Sequence, residues 1–378
     1  MGTTRAAFLH SPEIEQYHYP KDCPFKTERA GLTRGILVGM GLLFGSHRSE
    51  VAPKPAPREE IEKFHTARYL DIMIGATRGH LDIEGFGMGF GQPEVPVFRE
   101  MYDYAALACG ATLMGAALVA DGQIDVAFNP SGGYHHAGPE TASGFCYIND
   151  VGLACLVLAE RGKRVLFLDI DVHHGDGVQD FFYDRRDVMT MSFHESGKTL
   201  FPGTGFEDEF GTGEGRGYSV NVPLPVGTYD EVYLRAFDAV GMPLIGAFDP
   251  DVIVLEVGMD SLAGDPLAFL SLTNNAHAEV ARRVMGFGKP VLATGGGGYH
   301  AQNTARGWAL VWSVLCGDEE HEEMALGLGG VMLESTDWQA GLRDRQLVPG
   351  SMQRKIVDPA IDETIRKVRA NVFAIHGL

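Results

Sequence analysis

The chain has 378 residues, of which 45% are hydrophobic and 21% charged, which is the composition of an ordinary globular protein. Its formal net charge of −19 argues against nucleic-acid binding and against association with anionic membranes. The five cysteines are widely spaced, the start lacks the apolar core of a signal peptide, and no run of about 18 apolar residues is present. We therefore expect a cytoplasmic protein with reduced thiols, with no nucleic-acid partner and no membrane span.

Short apolar segments alternate with helical patterns along most of the chain. Several of these segments end in Gly, Asp or His clusters, namely IDVAFNPSGGYHH, RVLFLDIDVHHGDG, VMTMSFH, DVIVLEVGMDS and PVLATGGGGYH. Their nearly continuous apolar character is typical of strands buried on both faces of a parallel sheet. Helical patterns cover roughly residues 100–121, 149–162, 228–247, 273–287 and 301–316. The alternation predicts a single α/β domain over residues 1–378, with a helical extension from about residue 318.

The segment LDIDVHHGDG, residues 168–177, carries a dense set of potential metal ligands at the end of a predicted strand. In open α/β sheets the ligand crevice lies at that end. Asp169, Asp171 and His173 point to one face of an extended chain, so they can share a metal ion. Asp260, which closes VIVLEVGMD, is the best candidate for a further ligand. A lone Asp after a strand is usually a cap or turn residue, but the two motifs together favour a metal site.

Adjacent histidines, His135 and His136, follow another predicted strand among glycines. Two titratable rings in a loop need partners that fix their tautomer and charge, and Asp169 and Asp176 are available at the same sheet edge. Such a histidine can act as a general base for a metal-activated water. The chain has no G-x-S-x-G motif, so water is the expected nucleophile.

Tyr299 follows four consecutive glycines, residues 295–298, at the end of the last predicted strand. Glycines allow a backbone to approach a ligand closely, although the same run would suit a flexible turn. The Tyr299 hydroxyl could donate to a substrate carbonyl and stabilise the oxyanion that forms on it. Together these residues predict metal-assisted hydrolysis of a carbonyl compound.

Over roughly residues 5–318 the chain closely resembles the zinc-dependent histone deacetylase family, above all its class I branch and the microbial acetoin-utilisation deacetylases. The matching motifs are GGYHHA (132–137), SGFCYIND (143–150), DIDVHHGDG (169–177), FPGTG (201–205), MDSLAGDPL (259–267) and GGGGY (295–299). The resemblance implies a three-layer arginase/deacetylase fold with a central, mainly parallel eight-stranded sheet. It also implies hydrolysis of the amide of N-ε-acetyl-lysine, or of a related acyl-lysine, in proteins, with release of acetate.

The resemblance assigns the reacting groups. It implies zinc on Asp171, His173 and Asp260, while iron(II) in the cell stays open because the ligand types also suit it. It gives proton transfer to His135 and His136, and we expect His136, with Asp176 behind it, to be the stronger base. Tyr299 would bind the substrate carbonyl.

The resemblance also assigns residues around the reacting groups. The tunnel for the acyl-lysine would be lined by Gly144, Phe145, Phe201 and Leu267, and Arg29 would guide acetate out. A potassium ion would bind Asp169, Ser192 and Phe193 together with backbone oxygens of Asp171 and His173. A second potassium site would lie near Phe182, Val188 and Tyr218.

Three positions depart from the family pattern. Glu94 stands where an aspartate at the rim would clamp the substrate backbone, Glu195 replaces a lysine common nearby, and His300 replaces an asparagine. These departures concern substrate choice more than chemistry. The expected partner is an acyl-lysine protein or peptide, and oligomerisation stays open.

Alternative functions are an acetylpolyamine amidohydrolase, a two-manganese ureohydrolase and a non-catalytic acyl-lysine binder. The N-terminal segment SPEIEQYHYP argues against the first. Gly258 stands where a second metal would require a carboxylate, which argues against the second. The presence of Tyr299 and both histidines argues against the third.

Overall fold

An eight-stranded sheet forms the centre of the fold in the computed structural model, which describes residues 4–318 and 341–378. The strands are β1 (Ala6–Leu9), β2 (Arg48–Val51), β3 (Val126–Asn129), β4 (Val165–Asp169), β5 (Val188–Glu195), β6 (Ser219–Leu224), β7 (Val252–Glu256) and β8 (Val291–Thr294). Their spatial order is β2-β1-β3-β8-β7-β4-β5-β6, and every neighbouring pair is parallel. The predicted parallel sheet of eight strands is confirmed.

Helices connect most of the strands, and a long segment, residues 196–218, joins the parallel neighbours β5 and β6. In chain order the helices are α1 (Arg29–Gly39), α2 (Arg58–Ile61), α3 (Ala67–Thr77), α4 (Ile83–Gly87), α5 (Met101–Ala120), α6 (Asp150–Glu160), α7 (Asp176–Phe182), α8 (Asp230–Ala236), α9 (Met242–Phe248), α10 (Asn274–Met285), α11 (Ala301–Leu315) and α12 (Ser351–Val372). A short π-helical segment, Phe237–Gly241, joins α8 to α9. The five predicted helical regions are therefore present, and the region 228–247 contains two helices.

The sheet separates two apolar cores because side chains alternate along each strand. Leu166 and Leu168 pack into the core that includes residues of α8 to α11, whereas Val165 and Phe167 pack into the core that includes α5 and α6. Helices therefore cover both faces, which gives the predicted three layers. A further cluster of buried residues, including Tyr19, Tyr104 and Tyr147, packs against Phe145 and Tyr299.

The helix α5 is long and apolar enough to cross a membrane, by length and composition only. Within the protein most of its residues are buried, and the helix packs against α6 and β3. Such burial is typical of the core helix of a globular protein.

The C-terminal helix α12 packs on the edge of the sheet next to β6. The Thr364 hydroxyl donates to the Pro223 carbonyl oxygen at 3.1 Å, and the Tyr229 hydroxyl donates to Asp358 at 2.5 Å. The predicted extension from about residue 318 falls partly on residues 319–340, which lie outside the described residues. The division into one domain with an extension stays a prediction.

Candidate active site

Three side chains meet beyond the carboxyl ends of β4 and β7. The Nδ1 atom of His173 lies 3.2 Å from Oδ1 of Asp171 and 3.0 Å from Oδ2 of Asp260. All three residues are buried, and their potential ligand atoms lie within 4.8 Å of one another. Zinc in catalytic sites is typically held by three such groups, with a further position open to water or substrate. The structure thus brings together the three predicted zinc ligands.

The electrostatics of this cluster suit a divalent cation. Burial lowers the pKa of His173, but its hydrogen bonds with Asp171 and Asp260 outweigh that effect and raise the pKa to about 10. Burial and the negative charge of Asp171 raise the pKa of Asp260 to about 7. The two carboxylates and the imidazole thus stabilise a positive charge between them. A metal ion can supply that charge instead, because metal binding releases protons from the ligands.

Glycine backbone packs directly against the ligand carboxylates. The Gly297 amide donates to Oδ2 of Asp171 at 2.6 Å, and a Cβ atom at Gly297 would collide with the Asp260 carboxylate. A Cβ at Gly258 would likewise collide with the Asp171 carboxylate. Because no side chain fits at Gly258, the extra carboxylate of a two-metal site cannot be supplied there.

Both histidines of the GGYHHA motif have a carboxylate partner. His135 Nδ1 lies 2.9 Å from Asp169 Oδ2, and His136 Nδ1 lies 2.7 Å from Asp176 Oδ1. Burial lowers the pKa of His135, but the negative charges of Glu256 and Asp169 outweigh it and raise the pKa well above its usual value. Burial and the charge on His135 lower the pKa of His136 to about 4. Near neutral pH, His136 is therefore the uncharged ring of the pair.

Glu256 is a part of the site that sequence reasoning missed. It ends β7, is fully buried, and places Oε1 3.2 Å from His135 Nδ1. Neither carboxylate oxygen of Glu256 makes a hydrogen bond among the described residues. With His135 and Asp169 it forms a second buried group of potential ligands. An acidic residue within an apolar strand was the signal available in the sequence.

Tyr299 lies beside the three predicted zinc ligands. Its ring centroid is 6.4 Å from that of His173, and its amide donates to Asp265 Oδ2 at 2.8 Å. The other oxygen of Asp265 accepts the Leu267 amide at 2.9 Å. Burial and the charge of Asp260 raise the pKa of Tyr299 well above its usual value, so its hydroxyl keeps its proton. Asp265 was also missed, because an Asp next to Pro reads as an ordinary turn residue.

Two predicted tunnel aromatics lie on either side of this cluster. The Phe145 ring is 5.7 Å from that of Tyr299, and the Phe201 ring is 5.0 Å from that of His136. Phe145 has a positive φ of 64°, and the Tyr19 hydroxyl donates to its carbonyl oxygen at 2.9 Å. A Cβ on Gly144 would collide with the His136 ring, so glycine is required there.

Arg29 and Glu94 occupy opposite environments. Arg29 is 4% exposed, donates through Nη1 to the Gly298 carbonyl oxygen at 2.9 Å, and stacks on Phe25. A buried cation therefore lies directly behind the glycine run. The side chain of Glu94 is exposed, and its carbonyl oxygen accepts the Phe145 amide at 2.7 Å. This contact places Glu94 next to a tunnel residue.

The residues predicted to bind potassium lie on neighbouring strands. Asp169 of β4 pairs with Ser192 of β5, and the Ser192 hydroxyl lies 2.8 Å from Nδ1 of His194. Phe193 is buried in the same strand. At the second predicted site, the carbonyl oxygens of Phe182 and Tyr218 accept backbone amides of other residues. Oxygen donors of this kind suit a hard cation, and both sites stay predictions.

Two of the unusual positions have structural roles. Glu195 is 1% exposed and accepts the Phe269 amide and the Thr199 hydroxyl. His300 caps the start of α11 by accepting the Asn303 amide at 3.4 Å.

Comparison with known proteins agrees with this geometry. The family model described as a histone deacetylase domain matches residues 23–315. The chain is 41% identical over 325 residues to histone deacetylase B of Dictyostelium discoideum, covering 85% of this chain and 76% of that protein. It is 38% identical over 315 residues to histone deacetylase RPD3 of Saccharomyces cerevisiae, covering 82% of this chain and 72% of that protein.

A solved structure gives the same result for the fold. The crystal structure of an HDAC homolog from Aquifex aeolicus superposes with a TM-score of 0.83 at 32% identity, covering 97% of this chain and 100% of that one. The predicted arginase/deacetylase fold is therefore confirmed. The chain belongs to the histone deacetylase family.

Proposed function

We propose that this protein is a zinc-dependent lysine deacetylase that hydrolyses the amide of N-ε-acetyl-lysine in proteins and releases acetate. The observation that carries the proposal is the convergence of Asp171, His173 and Asp260 within reach of His136 and of Tyr299. Family membership supports the same reaction, since the relatives are named histone deacetylases.

Zinc, when bound to these three ligands, supplies a Lewis acid that polarises the acyl carbonyl and lowers the pKa of a water molecule. His136 is suited to take the proton of the attacking water at Nε2, because its Nδ1 is held by Asp176. The proton then passes to the lysine nitrogen as the carbon–nitrogen bond breaks. His135, with Asp169 and Glu256 behind it, contributes positive charge next to the reacting carbonyl.

Tyr299 is suited to donate its hydroxyl to the carbonyl oxygen, where negative charge develops during attack. The hydrogen bond from its amide to Asp265 supports the position of this residue. Phe145 and Phe201 would enclose the uncharged stem of acetyl-lysine, and Gly144 and Leu267 would complete the tunnel. Arg29 would provide positive charge for the acetate product behind the glycine run.

We propose Glu94 as the rim residue that accepts backbone N–H groups of the substrate, because it is exposed beside Phe145. Potassium at Asp169, Ser192 and Phe193, a second potassium near Phe182, Val188 and Tyr218, and a cytoplasmic location are further parts of the proposal. The acetylpolyamine alternative has no specific observation in its favour.

A turnover screen on the purified protein tests the proposed reaction. Acetyl-lysine peptides, longer acyl-lysine peptides and acetylated polyamines are compared by kcat/KM, with acetate release measured directly. We expect the acetyl-lysine peptides to be the best substrates. A clear preference for acetylpolyamines, or no acetate from any substrate with zinc bound, would contradict the proposal.

A further inference from the structure

Glu195 joins two loops that carry predicted tunnel residues. Its carboxylate accepts the Thr199 hydroxyl through Oε1 at 2.9 Å, two residues before Phe201. It accepts the Phe269 amide through Oε2 at 2.8 Å, two residues after Leu267. Glu195 itself is 1% exposed, although Thr199 lies at the surface, and the two hydrogen bonds connect one loop to the other through a buried carboxylate.

The backbone of Phe269 is held on both sides. Its amide is bound by Glu195, and its carbonyl oxygen accepts the Gly227 amide at 2.8 Å. Farther back on the same loop, Asp265 binds the amides of Leu267 and Tyr299. The segment from Asp265 to Phe269 is therefore held by hydrogen bonds at both ends. At one end, Asp265 connects it to Tyr299, which is proposed to bind the substrate carbonyl.

The ring of Phe269 nevertheless faces outward and is 59% exposed. Phe201, on the other loop that Glu195 braces, is 42% exposed and packs against His136. A single exposed aromatic residue needs no explanation by itself. An aromatic ring on a fixed backbone, however, can bind an apolar group with little loss of conformational entropy.

We propose that Phe269 is a substrate-recognition residue whose ring contacts an apolar side chain next to the acyl-lysine, and that Glu195 is the positioning residue that holds it. The inference rests on the proposed deacetylase function and names the substrate class within it. The partner is a polypeptide segment with apolar residues beside the acetyl-lysine. Continuity with the tunnel carries this choice, because Glu195 ties the Phe269 loop to the loop of Phe201.

The test uses two acetyl-lysine peptides of equal charge, one with leucine on both sides of the acetyl-lysine and one with serine. Wild-type protein should prefer the leucine peptide. Phe269→Ala should lower that preference, measured as the ratio of kcat/KM values, by about tenfold, because the apolar contact is lost. The change should appear in KM, while kcat, zinc content and turnover of the serine peptide stay near wild type.

Three further variants separate recognition from general damage. Phe44→Ala, at a phenylalanine that is similarly exposed at 55%, should leave the preference unchanged. Glu195→Gln should keep it, because an amide can accept the Phe269 N–H through its oxygen and donate to the Thr199 hydroxyl. Leucine at position 195 can accept neither hydrogen bond, so the Glu195→Leu variant should lose the preference for the leucine peptide.

The outcomes distinguish the inference from the proposed function. Wild-type protein that cleaves neither peptide contradicts the deacetylase function itself. Wild-type protein that cleaves both peptides equally well, or a Phe269→Ala variant that loses both activities in parallel, overturns the role of Phe269 alone. If Glu195→Leu does not fold, the Phe269→Ala comparison still decides.

Discussion

At the scale of single residues, the two active-site histidines differ in their surroundings. His135 Nδ1 lies near two carboxylates, whereas His136 Nδ1 lies beside Asp176 alone. The two carboxylates favour the charged form of His135, and burial keeps His136 neutral with a pKa of about 4. Only a neutral imidazole can accept a proton, so the two rings have different roles in the proposed reaction.

We predict that His136→Ala costs more activity than His135→Ala. Loss of a general base typically lowers kcat by about 10²–10⁴-fold. Loss of His135 should cost less, because it removes electrostatic stabilisation and leaves the base in place. The measurement is kcat on an acetyl-lysine peptide at neutral pH, with zinc content determined for both variants. The reverse order at equal zinc content would overturn this division of roles.

Residue types and their spacing selected most of the side chains that the structure brings together at the candidate site. Asp171, His173 and Asp260 could be selected because two strand ends carried ligand-type residues that parallel pairing brings together. Glu256 and Asp265 could not be selected from the sequence, because their place in the site depends on which atoms their carboxylates face in the folded protein. Glu256 is an acidic residue in an apolar strand, and only the structure places it beside His135.

At the scale of secondary-structure elements, the start of α6 holds the histidine loop. Asn149 caps this helix by accepting the Gly152 amide, and its Nδ2 donates to the carbonyl oxygens of His135 and Ala137. The backbone amide of Asn149 in turn donates to Nε2 of the buried His65 at 2.9 Å. Burial lowers the pKa of His65 to about 3, so the folded protein keeps this ring neutral.

This buried histidine predicts a loss of stability in acid. The unfolded chain binds a proton on His65 below about pH 6.5, whereas the folded protein binds it only near pH 3. Stability is therefore unaffected by His65 above about pH 6.5 and falls as the pH decreases towards 3, by about 1.4 kcal/mol per pH unit.

The measurement is the free energy of unfolding in denaturant at pH 7 and pH 5. The variant His65→Gln keeps an acceptor for the Asn149 backbone amide. In this variant the free energy of unfolding should fall between pH 7 and pH 5 by about 2 kcal/mol less than in the wild type. The exposed His18→Gln variant should match wild type. An unchanged difference in His65→Gln would show that His65 protonates as easily in the folded protein as in the unfolded chain.

The strands that sequence patterns missed lie towards the two sides of the sheet. The pattern identified β3, β4, β5, β7 and β8, which form most of the sheet interior. It did not identify β1 and β2, with four residues each, or β6 at the opposite edge. β2 (RSEV) and β6 (SVNVPL) contain polar residues, so they lack the nearly continuous apolar character by which the other strands were recognised.

At the scale of the whole molecule, the parallel sheet explains why the site lies in one place. Asp169 lies opposite Glu256 in the register, and Glu256 lies opposite Thr294, so three strand ends meet at one edge. The segments that follow these strands carry the predicted zinc ligands and Tyr299, and the loops after the neighbouring strands β3 and β5 carry the tunnel residues Phe145 and Phe201. Residues far apart in sequence therefore converge, because the carboxyl ends of parallel strands all lie at the same end of the sheet.

The central claim is a single zinc ion on Asp171, His173 and Asp260, and the most direct test counts metal in the purified protein. We predict one zinc per wild-type chain, and near-complete loss of zinc and activity in Asp260→Ala with retained folding, because a three-ligand site loses a charged ligand. The exposed Asp22→Ala variant should retain zinc and activity. Stoichiometric zinc in folded Asp260→Ala, or two metal ions in each wild-type chain, would contradict the account.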